Sequence, residues 1–260
     1  MDEKLIRESL TGLPIASITF FEEIDSTNAR AAAALQKSIL PEYSLIIARN
    51  QTAGRGRQQR VWLSKSDASL TFTIIIQPSS QELNQAGLFS LLGAMSICQA
   101  LEKNCQDTVH IKWPNDVLID GKKTAGVLVE ACWQADHPLG LAMGIGVNVL
   151  PDAVPIADTL IFPATCVQDH SAKPVDPLML LRDILSALIE LRPIVCLPVF
   201  MQRYSRRMAY LGQQVVLTQP DEQAIQGCMA GINESGQLIL KLPDGSLMSF
   251  SVGDLSLRPV

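Results

Sequence analysis

Histidine is nearly missing from this chain, with three in 260 residues. With so few, and no supporting motif around them, no Ser-His-Asp or Cys-His arrangement for nucleophilic catalysis can be argued. Cysteine shows no pattern: Cys98, Cys105, Cys132, Cys166, Cys196 and Cys228 are scattered, and no C-x-x-C pair occurs. That argues against a zinc framework or a disulfide scaffold and reads the cysteines as core residues in a reducing compartment. No apolar run approaches the ~20 residues of a membrane span, and the chain opens on the charged Met1-Asp2-Glu3-Lys4. A soluble, cytoplasmic protein with no membrane partner is expected. Excess positive charge is missing too. The net charge is −5 and the pI near 5.2, so no overall field recruits nucleic acid or anionic membrane. Internal repeats and low-complexity segments are absent.

What the chain does have is material for a core. Hydrophobic residues make up 47%, and the mean hydropathy is +0.19, which excludes disorder. Ile18 to Glu22 reads as a short strand, and Asp25-Ser26-Thr27-Asn28 caps an alanine-rich helix over Ala29 to Lys37. Ser44 to Arg49 and the β-branched Leu70 to Ile76 read as strands, and Leu83 to Lys103 has helical periodicity. Val109 to Lys112 starts another strand. Asp120-Gly121 is a hairpin signal between Val117-Leu118-Ile119 and Val127-Leu128-Val129-Glu130. Leu139 to Val149 reads as a strand interrupted by Gly144 and Gly146, and helices follow over Leu178 to Leu191 and Pro198 to Ala209.

After Leu211-Gly212 the texture changes. Val215 to Leu217, Ala224 to Ile232, Leu238 to Leu242, Leu247 to Ser251 and Leu255 to Leu257 are short strands punctuated by Glu234-Ser235-Gly236 and Pro243-Asp244-Gly245. Such spacing fits a small β-barrel. The expected fold class is α/β (α+β): a mixed sheet flanked by helices over 1–211, then a small all-β domain over 212–260.

Two stretches carry chemistry. Gln51 to Trp62 is a loop holding three arginines (Arg55, Arg57, Arg60) and two glycines (Gly54, Gly56) in an acidic protein. Glycines let backbone N–H groups approach an anion, and arginine forks grip phosphate or carboxylate oxygens in pairs. Such a loop can be a solvated turn, but its place directly after an apolar strand favours ligand binding. The second stretch is Lys112-Trp113-Pro114-Asn115-Asp116, continuing through Lys123-Thr124-Ala125-Gly126. In an alternating strand Lys122 and Lys123 point to opposite faces, so at most one faces a pocket. Together the stretches predict a site for a small, negatively charged, activated molecule, with phosphoryl or adenylyl chemistry. Gly121-Lys122-Lys123-Thr124 lacks the earlier glycine of a P-loop, where Asp116 stands, and Gly144-Ile145-Gly146 lacks the third glycine of a dinucleotide fingerprint.

These residues resemble the biotin protein ligases. Gly54-Arg55-Gly56-Arg57 with Arg60 and Trp62 is similar to that family's loop, and Lys112 to Asp116 with Lys123 and Ala125-Gly126 to its second signature. Asp25 to Asn28, Gly144 to Asn148 and the terminal β-domain follow in the family's order. Gln59 stands where the family usually has glycine. Fewer than thirty residues precede Asp25, too few for the winged helix-turn-helix of the repressor members, so the resemblance is to the monofunctional type.

The resemblance implies a ligase-like catalytic domain over 1–211 and an SH3-like β-barrel over 212–260. It also implies two steps: biotin and Mg²⁺-ATP form biotinyl-5′-adenylate, and an acceptor lysine then takes the biotin. The implied acceptor is the biotin carboxyl carrier of acetyl-CoA carboxylase, with no DNA partner. It implies Ser26, Thr27, Asn28, Gln51, Arg55, Gly56, Arg57, Lys123, Gly126, Gly144 and Gly146 around biotin. At the nucleotide it implies Arg55, Arg57, Arg60, Trp62, Lys112, Asn115, Asp116, Lys123 and Asn148. Lys123, Arg55 and Asp116 are the implied catalytic residues, with Phe162 the candidate to stack the adenine and a Mg²⁺ role open for Asp116. A lipoate or octanoate ligase shares the architecture, but no Arg-Arg-x-x-Gly-Gly-Gly-type loop occurs here and this arginine loop is of the other kind. A biotin-responsive DNA-binding regulator is the non-enzyme alternative.

Overall fold

The computed structural model describes residues 2–155, 162–218, 224–251 and 256–259. Seven strands form a mixed sheet in the order β1-β2-β3-β7-β6-β5-β4. They are β1 (Ser17–Ile24), β2 (Ser44–Gln51), β3 (Ser69–Ile76), β4 (Val109–Lys112), β5 (Asp116–Ile119), β6 (Lys122–Gln134) and β7 (His137–Asn148). Only β1 and β2 run parallel, joined by the crossover helix α2 (Thr27–Lys37); the other neighbours are antiparallel.

Strand alternation separates the two faces of this sheet. Leu45, Ile47, Ile74, Ile76, Leu141 and Met143 pack under α4 (Gly87–Asn104) and α5 (Pro177–Leu191) in the main core. Their neighbours Ile46, Ile75 and Ala142 turn the other way, onto Ala31 and Leu35 of α2. Helix α2 therefore packs on the face opposite α4 and α5.

Several boundaries differ from the sequence expectation for local reasons. Glu3–Ser9 forms α1, capped by Asp2 and anchored by the fully buried Ile6. The expected helix from Leu83 is split into α3 (Ser80–Leu83), closed by a Ser79–Glu82 capping box, and α4. Helix α6 (Pro198–Ser205) stops early because the chain beyond it pairs with β4: Ile111 N–H donates to Arg207 O and Ala209 N–H to Ile111 O. β7 is not interrupted at Gly144 and Gly146. Both glycines sit in ladders with β3 and β6, which hold the strand extended from both sides.

The C-terminal strands β8 (Gln214–Thr218), β9 (Ala224–Ile232), β10 (Leu238–Lys241), β11 (Leu247–Phe250) and β12 (Ser256–Pro259) pair in the order β11-β10-β9-β8-β12, antiparallel throughout. The expected start of the last strand at Leu255 lies outside the described residues. Gly236, in the β9–β10 turn, packs against Leu88 and Leu91 of α4.

Candidate active site

One cavity collects the start of α2, the end of β2, the arginine loop, the β5–β6 hairpin and the middle of β7. At its α2 end, Ser26 caps the helix through its side chain, and Ser26, Thr27 and Asn28 are all buried. Gln51 Oε1 accepts from the Thr27 N–H at 2.8 Å and the Thr27 hydroxyl at 3.1 Å. The Thr73 hydroxyl donates to Asn28 Oδ1 at 2.6 Å, and Asn28 Nδ2 donates to Leu128 O at 3.1 Å and Glu130 Oε2 at 2.8 Å. Both amide protons of Asn28 are thus spent inside the protein, which fixes the direction of its oxygen and leaves a lone pair for a ligand donor.

The opposite wall is cationic. Lys123 Nζ lies 2.6 Å from Asp116 Oδ1, and Lys112 Nζ lies 3.8 Å from Asp116 Oδ2. Burial alone would raise the Asp116 carboxyl, but Lys123, then Lys112 and Arg57, hold it below its ordinary value. Lys123 owes its direction to a bulge. Asp116 faces Gly126 and Val117 faces Ala125, but Leu118 then faces Lys123, so Thr124 is the extra residue. Strict alternation from Gly126 would turn Lys123 to the core side; the bulge returns it to the cavity.

The arginine loop closes over both walls. Arg57 Nη1 donates to Asn115 Oδ1 at 3.0 Å, and Asn115 Nδ2 donates to Val127 O at 2.8 Å. Arg55 Nη2 lies 3.1 Å from Glu130 Oε2. Gln58 and Gln59 both adopt positive φ, at 56° each, so Gln59 takes up the backbone conformation that glycine supplies most easily. The Trp62 indole lies over Gly146, where any Cβ would overlap its ring, and Asn28 fills the space above Gly144 in the same way. These glycines make room for side chains of the site itself. Gly126 has only ordinary contact distance, 3.5 Å, to Asp116 and Lys123. The Trp62 Nε1 is buried without a hydrogen-bond partner.

Of the sequence-predicted residues, Ser26, Thr27, Asn28, Gln51, Arg55, Gly56, Arg57, Arg60, Trp62, Lys112, Asn115, Asp116, Lys123, Gly126, Gly144 and Gly146 all line this cavity. Asn148 is the exception. Its Nδ2 donates to Thr165 O at 3.2 Å, and the Thr165 N–H donates to Lys123 O at 3.0 Å, so Asn148 braces the segment beside Lys123. Phe162 carries Lys112 Nζ over its ring at 4.3 Å from the centroid.

Residues 20–148 match the biotin/lipoate A/B protein ligase family, and 210–258 match the biotin protein ligase C terminal domain. The biotin–[acetyl-CoA-carboxylase] ligase of Paracoccus denitrificans is 33% identical over 233 residues, covering 85% of this chain and 92% of that protein. The chain belongs to the biotin/lipoate A/B protein ligase family. The bifunctional ligase/repressor BirA of Bacillus subtilis is 32% identical over 176 residues, which is 68% of this chain and 54% of that protein. The match thus spans about half of that relative's length. The biotin protein ligase from Aquifex aeolicus, solved in complex with biotin and ATP, superposes with a TM-score of 0.80 at 29% identity, over 94% of this chain and 100% of its own.

Glu130 and Thr73, which both bind the Asn28 side chain, have no place in the sequence expectation. A charged residue in register with Gly126 and Leu128 on a half-buried strand was the available signal for Glu130. Thr73 had none, since it sits in a run of apolar and β-branched residues and is fully buried. Among the described residues no group of three or more His, Cys, Asp or Glu forms a metal cage, and no helix is long and apolar enough to cross a membrane.

Proposed function

We propose that this chain is an ATP-dependent biotin protein ligase that modifies the biotin carboxyl carrier of acetyl-CoA carboxylase in the cytoplasm. The observation that carries the reading is the pairing of a buried polar pocket at the start of α2 with the Lys123–Asp116–Lys112 cluster under an arginine loop. A neutral bicyclic urea fits the first; two reacting anions need the second.

In the first step a biotin carboxylate oxygen bonds to the α-phosphorus of ATP, and the bond from that phosphorus to pyrophosphate breaks. Lys123 stands where carboxylate and phosphate meet and offsets their repulsion. Asn28 accepts from a ureido N–H, and Ser26, Thr27 and Gln51 complete that end. Arg55, Gly56 and Arg57 close the loop, with Arg60, Lys112 and Asn115 toward the nucleotide. Both Asp116 oxygens face ammonium groups, so that carboxylate is a poor metal ligand; Mg²⁺ is assigned to the phosphates of the ATP it accompanies.

In the second step the acceptor lysine amine attacks the mixed-anhydride carbonyl. The amide C–N bond forms, AMP leaves with the anhydride oxygen, and the amine loses a proton. The closed loop keeps water from the anhydride meanwhile. We assign residues 1–211 to the catalytic domain and 212–260 to the C-terminal domain, and no specific DNA target. The match of 210–258 to a domain described for biotin ligases favours biotin over lipoate.

The test is pyrophosphate release with ATP and biotin, lipoate or octanoate. Release with biotin alone is expected, followed by labelling of the carrier domain. Release with lipoate or octanoate and none with biotin would transfer the chain to the other branch.

A further inference from the structure

Glu130 stands just behind the cavity, in contact with two of its lining residues, Asn28 and Arg55. It follows Gly126 and Leu128 in the alternation of β6, which turns its side chain toward α2. Its Oε2 accepts from Asn28 Nδ2 at 2.8 Å and pairs with Arg55 Nη2 at 3.1 Å. One oxygen therefore joins the first turn of α2 to the arginine loop, two elements that leave the sheet at different strands. Left alone, this carboxylate would add negative charge beside the cavity; with Arg55 on it, the pair is neutral. Arg55 has further N–H donors in its planar fork, so the contact aims the guanidinium without exhausting it. The side chains are 32% and 46% exposed, which makes the pair weak and reversible, as a latch must be.

We infer that Glu130 is a positioning residue for the proposed reaction: it orients the Asn28 amide and, through Arg55, latches the arginine loop over the cavity. Its effect on catalysis rests on the biotin ligase reading, whereas the latch belongs to the ligand-free chain and is tested there.

The experiment compares hydrogen exchange of ligand-free wild type and Glu130→Gln. Glutamine keeps the shape and still accepts from Asn28 but loses the charge that holds Arg55. Amides of 52–62 should exchange about two- to five-fold faster in the variant, the size of a half-exposed ion pair, with other regions unchanged. In an Arg55→Ala background the same substitution should add nothing. With biotin and ATP, Glu130→Gln should keep its biotin KM within about twofold while losing adenylate to solvent faster. Glu130→Ala, which also removes the Asn28 acceptor, should raise that KM about tenfold. Unchanged loop exchange in Glu130→Gln, or equal acceleration with Arg55 absent, overturns the inference. If wild type releases no pyrophosphate from biotin and ATP, the ligase reading falls while the exchange comparison still decides the latch.

Discussion

Lys123 and Asp116 lie 2.6 Å apart at the centre of the cationic wall, and their substitution separates chemistry from binding. Lys123→Ala should lower pyrophosphate release on the order of 10²-fold, because a charge aimed at the developing transition state is lost. Biotin binding by calorimetry should fall less than release, since the buried contacts of Thr27 and Asn28 at the α2 end of the cavity remain. Near-normal release would remove Lys123 from its assigned role. Arg57 reaches the second signature through Asn115, so Arg57→Gly should still make adenylate but let it escape. Serum albumin added to the reaction should then become biotinylated well above the wild-type level; equal labelling would count against the clamp. Gly146→Ala places a methyl group in the Trp62 ring. The indole must move, and the tryptophan emission should shift to longer wavelength; an unchanged spectrum would contradict the packing.

Between elements, the bulge at Thr124 and the Asp120-Gly121 turn together set the β5–β6 hairpin. Both turn residues have positive φ, 48° and 70°, as a two-residue type I′ turn requires. Away from the site, Arg192 ties α3 to the segment after α5: it pairs with Glu82 and Glu42 and lies 5.1 Å from the Phe89 ring centre. The Arg192 hydrogen bond is the main cause that pulls the Glu82 carboxyl from 4.5 to about 2. A carboxyl lowered by folding stabilises the protein above its unfolded value and loses that contribution as pH falls through its folded value. Wild type should therefore exceed Glu82→Gln in urea stability near neutral pH. The gap should narrow below about pH 4.5 and close near pH 2. A gap independent of pH would show that the Glu82 charge is not what stabilises this junction.

At the scale of the molecule the two sheets share one core. Val215, Leu217, Met229, Leu238 and Leu240 belong to the same buried cluster as Leu88, Leu91 and Trp113. Trp113 Nε1 also donates to Gly236 O at 3.0 Å, from the middle of the second signature to the β9–β10 turn. A chain cut after Leu211 should keep helical structure by circular dichroism, melt at lower temperature, and fail to transfer biotin to a carrier domain. Gly236→Val is the finer probe. At φ +73° a Cβ there meets Leu88 and Leu91 at 2.7 Å, so the turn must lift from α4 and strain the Trp113 contact. Reduced pyrophosphate release with both sheets still folded is the expected outcome. Full activity in the truncated chain would make the C-terminal strands dispensable.

Most elements were legible in the residues because local rules set them: the Ser26 cap, the Asp120-Gly121 turn and the β-branched runs of β2 and β3. The arginine loop and the second signature were legible as well, because charge and glycine concentrate there in an acidic chain. The sequence by itself determined which residue types line the cavity. Only the tertiary structure decided which way they point. Lys123 faces the cavity because of a bulge that depends on pairing with β5. The end of α6 is set by the free edge of β4, and Asn148 turns to a backbone carbonyl outside the cavity. Glu130 joins Asn28 and Arg55, which lie 102 and 75 positions away from it. Local propensity carries no information over such separations, so contacts of this kind exist only once the sheet has brought the segments together.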